Sequence, residues 1–230
     1  ASCHQARRDA MQTVEANPAD ATVSSHYGAH HGPQADILAG ANAYEFPGKS
    51  YSSTMHNMVV KDGCVQCHMA LPQARYSMSP GIGGHSFNVL GEVHEEEKAN
   101  VSGCVACHKD VKQVAGTEIF DITAKADYDN DGAVEPVQAE VQGLLDYFVN
   151  KNGSGVLQQL SPPMYKADGS WNAVSSTGER SVAEMAALYN YKMIEEDRSL
   201  GVHNGVYIVQ ILMDSVQALN PRFDVSTRPR

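Results

Sequence analysis

The sequence is poor in the side chains that usually build a large hydrophobic core. It has one tryptophan and five phenylalanines in 230 residues, while nineteen glycines interrupt its apolar stretches. Large aromatic side chains supply much of the apolar area that is buried when a domain folds. A core made from this composition is thin for the length of the chain.

Basic residues and long apolar runs are also scarce. Seventeen Lys and Arg residues stand against twenty-seven Asp and Glu residues, which gives a formal net charge of −10. No basic stripe is available to neutralise phosphates, so nucleic acid is excluded as a partner. No run approaches the roughly 18 apolar residues that a membrane-spanning helix needs, and no signal peptide stands at the start. We therefore expect a mature, soluble protein without a transmembrane segment.

Cysteine is rare, but its placement is regular. Residues 64–68 read CVQCH and residues 104–108 read CVACH, so four of the five cysteines fall into two C-x-x-C-H units. The fifth is followed by a histidine in the opening letters ASCH, which is the second half of the same unit. Two thiols three residues apart on one helical turn can add to the two vinyl groups of a haem, while the adjacent histidine binds the iron. The sequence predicts haem attachment and proximal iron ligands at Cys3 and His4, at Cys64, Cys67 and His68, and at Cys104, Cys107 and His108.

Two other uses of paired cysteines fit less well. A thioredoxin-like dithiol needs a βαβ context, which this sequence does not show, and it gives no reason for a histidine directly after each pair. A four-cysteine zinc ribbon separates its two pairs by about 15–20 residues, whereas 36 residues lie between Cys67 and Cys104. Cys3 has two further interpretations, a lone thioether and an ordinary free cysteine.

Covalent haem attachment has consequences for location and for packing. Attachment of this type takes place outside the cytoplasm, so we expect the protein in the periplasm or at the cell surface. Buried porphyrin rings would supply the apolar area that the side chains do not. Methionines near the motifs are interpreted as packing around the rings rather than as axial ligands; they are Met55, Met58, Met69 and Met78.

Histidine is abundant, with ten residues, three of which are the predicted proximal ligands. The second axial ligand decides what a haem iron can do, because an open position permits catalysis or gas binding, whereas a second histidine restricts the iron to electron transfer. Several of the other histidines lie in turn-like contexts, in HYGAHHG, STMHNM and GIGGHSF. The residues alone leave open whether these are iron ligands or scattered surface histidines.

Five runs of residues together resemble the multihaem c-type cytochromes of metal-reducing bacteria, a family that includes cytochromes polymerised into extracellular filaments. In chain order the runs are SSHYGAHHGPQADILAG, YSSTMHNMVVKDGCVQCHM, GIGGHSF, GCVACH and YNYKMIEEDRSLGVHNGVYIVQILMDSV. The resemblance covers most of the chain. It implies electron transfer through closely packed, mainly bis-histidine haems, without enzymatic catalysis. It also implies distal iron ligands at His26, His30, His56 and His85.

Three further histidines are interpreted separately. His31 adjoins His30, and only one of two adjacent histidines can usually face one iron. His94 lies in EVHEEEK, where charged neighbours indicate a solvent-exposed face. His203 lies in GVHN, which is similar to the GIHN turn of related multihaem enzymes, whose histidine can bind iron. Capping of the following helix and contact with a haem propionate are the alternatives for His203.

The numbers of predicted proximal and distal iron ligands within the chain are unequal. Three proximal histidines face at least four distal candidates, so one distal histidine has no haem of its own. Either the chain is the C-terminal part of a longer, tetrahaem protein divided inside its first motif, or a histidine is donated to a haem of a neighbouring subunit, as in filament-forming relatives. A head-to-tail filament is a heterologous assembly. Its partners would be identical subunits or other redox proteins.

Two other classes of function remain open at this point. One is a multihaem oxidoreductase of the nitrite or hydroxylamine type, or a subunit of such an enzyme, which would need an open iron position. The other is a zinc-bearing structural module, which would be colourless.

The pattern of residues changes along the chain. Residues 1–114 are rich in Cys, His and Gly and are predicted to bind haem, whereas residues 115–230 contain the three best helix candidates. These are EPVQAEVQGLLDYFVN, SVAEMAALYNYKMIEED with a capping box, and NGVYIVQILMDSVQAL, which ends before a proline. Residues 152–180 are predicted to form a loop. We expect a mainly α fold with much irregular loop and little β, in a multihaem cytochrome c architecture.

One acidic loop has the spacing of a calcium site. In DYDNDGAVE, carboxylates stand at positions 1, 3 and 5 of an EF-hand-like loop, at Asp127, Asp129 and Asp131, and a glycine stands at position 6. Position 12, where a bidentate Glu is usual, holds Gln138, so Glu135 or Glu140 would have to replace it. The alternative is an acidic start of a helix, which the helix dipole favours without any cation.

Overall fold

The computed structural model describes residues 4–16, 23–72, 79–172 and 180–230. Within these ranges the chain is mainly helical with long loops and two short strands, as the sequence predicts. The helices are α1 (Ala10–Glu15), α2 (Gln34–Ala39), α3 (His56–Val59), α4 (Cys64–His68), α5 (Val137–Asp146), α6 (Val182–Asp197) and α7 (Gly205–Leu219), and the strands are β1 (Leu90–Val93) and β2 (Glu96–Ala99). Across the described ranges, no helix combines the length and apolar character needed to span a membrane. The predictions for Cys3, Met78 and residues 173–179 lie outside the described residues.

Two compact units divide the chain. The helical unit comprises Ala1–Thr54 and Ala124–Arg230, and the motif unit comprises Met55–Thr123. This division differs from the predicted boundary at residue 114, because the N-terminal segment packs with the C-terminal helices. Ala10 and Val14 of α1 are buried in the same hydrophobic core as α6 and α7.

The core of the helical unit is built from the three helices that the sequence predicts. The capping box at the start of α6 is formed, with the Ser181 side chain accepting the Glu184 N–H and the Glu184 carboxylate accepting the Ser181 N–H. Helix α7 is buried over most of its length and packs against α5 and α6. Burial on all sides is typical of a central helix.

Two buried amides connect the N-terminal segment to these helices. Asn190 of α6 accepts the Tyr44 N–H at 2.7 Å and donates to the Tyr44 carbonyl at 3.0 Å and to the Ser215 hydroxyl at 2.9 Å. Asn204 accepts the Thr54 N–H at 2.9 Å and donates to the Ile37 carbonyl at 3.0 Å. Both asparagines are fully buried, so each makes the hydrogen bonds that a buried amide requires.

The motif unit has almost no core of its own. Four apolar side chains are buried among its described residues: Ile82, Val93, Val111 and Phe120. Strands β1 and β2 form an antiparallel hairpin in which Leu90 is paired with Ala99. Asn100, which follows the hairpin, is buried and donates to the Ala70 carbonyl at 2.6 Å. Hydrogen bonds of this kind, rather than apolar packing, hold the loops of the unit.

Candidate cofactor site

The first C-x-x-C-H motif forms helix α4, so its two thiols and its histidine lie on one helical segment, as predicted. The His68 imidazole has its Nδ1 2.9 Å from the Phe87 carbonyl oxygen, and its ring stacks on the Phe87 ring with 4.7 Å between centroids. Donation from Nδ1 to a carbonyl fixes the tautomer that carries its lone pair on Nε2, which is the usual arrangement of a metal-binding histidine. The fold therefore presents His68 in the form that a proximal ligand requires.

The second motif is also closed into one turn. The Cys107 and His108 N–H groups both donate to the Cys104 carbonyl, at 3.1 and 2.8 Å. Such a turn places the two thiols of the motif and the following histidine close to one another, as covalent attachment of one ring demands.

The two motifs lie side by side. A Cβ placed at Gly103 would be 2.8 Å from the Cα of Cys67, so glycine allows the two turns to touch. Burial raises the pKa of the Cys67 thiol, with Cys64 and Cys107 as smaller causes. Burial, together with the nearby Cys67, raises the pKa of Cys104 to about 11. Groups attached to the two motifs would therefore be close neighbours.

These thiols do not have the surroundings of the two competing uses. A redox-active dithiol depends on a lowered pKa, whereas the pKa of Cys67 and that of Cys104 are raised. A structural zinc site needs four converging ligands. Throughout the ranges that the structure covers, groups of three or more ligand atoms within 4.8 Å of one another contain only carboxylates, and no cysteine takes part in one.

Exposed apolar side chains are concentrated in the part of the chain that carries the first motif. Seven of the ten large hydrophobic side chains that are exposed in the described chain fall between residues 55 and 87: Met55, Met58, Val59, Val65, Met69, Leu71 and Phe87. Three of the methionines that the sequence analysis interprets as packing around porphyrins are among them. A concentration of exposed apolar side chains marks a surface that binds an apolar partner.

The remaining histidines of the motif unit occupy different positions. The His56 ring lies 6.1 Å from the His108 ring, centroid to centroid, with 79° between the ring planes. His85 is exposed in the 3₁₀ turn Gly84–Ser86. His94 is exposed in the turn between β1 and β2 at a φ of 54°, which agrees with its interpretation as a solvated residue.

The N-terminal histidines lie in the helical unit. The His4 Nδ1 is 3.3 Å from the Gln34 side-chain oxygen, and the exposed His31 has its Nδ1 2.8 Å from a Glu196 carboxylate oxygen. The Nδ1 atom of His30 is buried, with no hydrogen-bond partner among the described residues. Desolvation, followed by the positive charge of Arg7, lowers the pKa of His30. The two adjacent histidines thus have different environments, and His31 is the one held by a carboxylate.

A small cavity joins these histidines. It has a volume of about 60 Å³, and His26, His30 and His31 line it together with the end of α6. The structure thus brings both N-terminal distal candidates, His26 and His30, to one place.

His203 is held by a buried carboxylate. Its Nδ1 is 2.7 Å from an Asp197 carboxylate oxygen, and Asp197 is 3% exposed. The neighbouring Asn204, rather than His203, caps α7 by accepting the Tyr207 N–H. The capping alternative for His203 is therefore wrong, whereas the carboxylate bond gives it the orientation that a metal ligand usually has.

The acidic loop closes through Glu140. Carboxylate oxygens of Asp127, Asp129 and Glu140 lie within 4.8 Å of one another, and a second group joins Asp129 and Asp131 with Glu135. Desolvation raises the pKa of Asp129 to about 6, with the nearby carboxylates as smaller causes. Glu140 also accepts three backbone N–H groups, from Tyr128, Asp129 and Glu135.

The sequence leaves open which residue replaces the glutamate that is missing from position 12 of the loop. Gln138, at position 12, points its amide towards the Ser199 carbonyl at 3.5 Å. Both alternatives, Glu135 and Glu140, lie with the aspartates. One oxygen of Asp127 is buried and has no hydrogen-bond donor among the described residues, which a cation in the loop would explain.

Comparison with known proteins finds no family model that matches this chain, and no curated protein or solved structure with significant similarity to it. The supporting residues Phe87, Asp197 and Gln34 were not predicted as parts of the site. They contact their histidines across 19, 6 and 30 residues of chain respectively, and no sequence spacing marks such contacts.

Proposed function

We propose that the chain is a multihaem c-type cytochrome that transfers electrons through closely spaced, bis-histidine haems outside the cytoplasm. The observation that carries the proposal is the composition of the motif unit. Both complete C-x-x-C-H motifs lie in a unit that buries four apolar side chains among its described residues and exposes seven large ones. Small units with so little core usually need disulfides, metals or prosthetic groups to be stable.

The four cysteines of the motif unit form no disulfide, and the groups of three or more clustered ligand atoms among the described residues, which lie in the acidic loop, include no cysteine. Of the groups that could stabilise such a unit, haem is the one that both the motifs and the exposed apolar side chains would bind. Each pair of thiols would hold a ring covalently, while the exposed methionines and Phe87 would cover its faces. His68 and His108 would supply the proximal nitrogens, with the Phe87 carbonyl orienting His68.

Electron transfer is the activity that this arrangement serves best. The contact between Gly103 and Cys67 would place the rings of the two motifs next to each other. Irons with two histidine ligands have no open position for a substrate, so the protein's role is to fix the spacing of the rings, exclude water and set their potentials. Electrons would pass between rings within the chain and to other redox proteins or identical subunits, as in an extracellular conduit.

The first test counts the haems and measures their redox activity. We expect the intact denatured protein to carry covalent haem at residues 64–68 and 104–108 in peptide mass spectra, and a third haem on the peptide that contains Cys3. The reduced protein should show no spectral change with CO or nitrite. A protein without a Soret band would exclude the cytochrome proposal, and CO binding by the unmodified protein would favour the oxidoreductase of the nitrite or hydroxylamine type.

Calcium binding by loop 127–140 is a separate prediction. We expect Ca²⁺ at about 100 times its dissociation constant to raise the free energy of unfolding of the helical unit by about 2.7 kcal/mol, because the cation binds only the folded loop. Asp127→Asn combined with Asp131→Asn should abolish most of this gain. Isothermal titration calorimetry and thermal unfolding with and without chelator measure both effects.

The matched control for calcium binding is Asp62→Asn, which removes an exposed carboxylate of the motif unit and should leave calcium binding unchanged. No heat of binding in the unmodified protein would mean that the acids only close the loop before α5, where Glu140 accepts the N–H groups of Tyr128 and Glu135.

A further inference from the structure

We propose that His56 and His108 are the two axial ligands of one haem iron, with their imidazole planes nearly perpendicular. The inference rests on the proposed function and adds to it the pairing of a distal with a proximal histidine. The centroids of the two rings are 6.1 Å apart. Two imidazoles on opposite sides of one first-row metal ion, with metal–nitrogen bonds of about 2.0–2.1 Å, have centroids roughly 6 Å apart.

The local structure around His56 also agrees with its pairing with His108. His56 is the first residue of α3, a helix of four residues that buries none of them. Met58 and Val59 of this helix are exposed at 73% and 45%. A helix this short is not stable through its own hydrogen bonds, so an iron–nitrogen bond at its first residue would hold it where the ring of the second motif lies.

The other motif histidine has a different neighbour on its ring. His68 is stacked nearly parallel on Phe87, with 14° between the planes, whereas His108 meets His56 at 79°. An imidazole and a phenyl ring in parallel contact do not form a ligand pair, because phenylalanine offers no donor atom. The ring contacts thus pair His56 with His108, whereas the contact recorded at the His68 ring is with Phe87.

The angle between the planes makes a spectroscopic prediction. In a low-spin ferric haem, perpendicular axial imidazoles leave two iron d orbitals nearly equal in energy, which gives a highly anisotropic electron paramagnetic resonance signal with one dominant low-field feature. Parallel imidazoles separate the orbitals and give a rhombic, three-line signal. We expect one haem of the motif unit to have the anisotropic signal.

The experiment uses alanine variants of the whole haem-loaded protein. His56→Ala should convert one low-spin iron per chain to high spin, remove the anisotropic signal and let the reduced protein bind one equivalent of CO. His94→Ala, which removes an exposed histidine of the same unit, should change none of these. Haem content is measured first in every variant, because the thioether bonds keep the ring attached when a histidine is lost.

Double variants test the pairing itself. If His56 and His108 share an iron, His56→Ala adds no further high-spin iron to His108→Ala, whether or not that variant keeps its second haem. In the His68→Ala background the same change adds one. The reverse pattern, or a His56→Ala protein whose irons all stay low-spin, would overturn the pairing.

Two further results distinguish a failure of the His56–His108 pairing from a failure of the proposed function. Absence of haem from the unmodified protein would contradict the proposed function itself, whereas haem with the wrong pattern contradicts only the pairing. If His56→Ala does not fold, His56→Met replaces it. A methionine ligand keeps the iron low-spin and adds a sulfur-to-iron charge-transfer band near the red end of the spectrum, and absence of that band would exclude His56 as a ligand.

Discussion

Replacement of Cys64, Cys67, Cys104 and Cys107 by alanine is expected to unfold the motif unit and leave the helical unit folded. In hydrogen-exchange mass spectrometry, peptides from 55–123 should lose their protection and exchange within seconds, whereas peptides from α5, α6 and α7 should keep the protection of the unmodified protein. The expected change is the loss of all measurable stability in one unit.

The reason lies in how apolar area is divided between the units. Among the described residues, the contiguous core contains 32 buried side chains, and none of these belongs to the motif unit. Burying a large apolar side chain contributes about 1.5–3 kcal/mol, so the four buried apolar residues described in the motif unit stabilise it far less than the large core stabilises the helical unit. Covalently held rings would supply the missing area.

The helical unit of the same protein is the internal control for this experiment, because it has its own core and none of the four cysteines. Gln66→Ala is the matched control within the motif, since it changes an exposed polar residue of α4 and leaves the thiols in place. Full protection of 55–123 in the variant without thiols would show that haem does not stabilise the unit.

The second large effect, on the free energy of unfolding of the helical unit, is expected from Asp214→Ala in α7. The Asp214 carboxylate is inaccessible and accepts two hydrogen bonds from Arg228 at 2.9 Å each and one from the Tyr51 hydroxyl at 2.8 Å. Removal of the Asp214 carboxylate leaves the Arg228 guanidinium, whose side chain is 13% exposed, without this partner. Breaking one side of a buried ion pair costs about 3–5 kcal/mol, so the free energy of unfolding of the helical unit should fall by about that amount.

Urea unfolding followed by far-ultraviolet circular dichroism measures the loss. Lys49→Ala is the matched control, because Lys49 contacts the same carboxylate at 3.2 Å from a position that is 36% exposed. Loss of Lys49 leaves the carboxylate with its bonds to Arg228 and Tyr51, and an ion pair with a solvent-exposed cation contributes about 0–1 kcal/mol, so this variant should lose little. Equal losses in the two variants would show that Asp214 acts through general charge rather than through the buried hydrogen bonds with Arg228 and Tyr51.

Features that depend on near neighbours in the sequence were predictable. Helices α6 and α7 follow the periodic apolar residues, and the capping box at Ser181 joins residues three apart. The C-x-x-C-H turns were predictable for the same reason, because the backbone of one helical turn brings residues three and four apart together. Haem attachment itself stays a prediction from these motifs.

Contacts between distant residues needed the folded chain. Composition placed a boundary at residue 114, beyond which cysteine is absent and histidine is rare, although α1 and α2 pack with α6. Acid spacing predicted a calcium loop but left Glu135 and Glu140 open as the replacement for its missing glutamate. The fold brings both to the aspartates, Glu140 from the first turn of α5.

The sequence by itself predicted which residues could attach haem and where the three C-terminal helices lie, since both predictions depend on spacings within a few helical turns. Tertiary structure alone decided that the two motifs touch, that Asp197 holds His203, and that the ring of His56 meets that of His108 across 52 residues of chain. The physical reason is that these contacts depend on how the chain packs around each unit's core. No local pattern of residues records that packing.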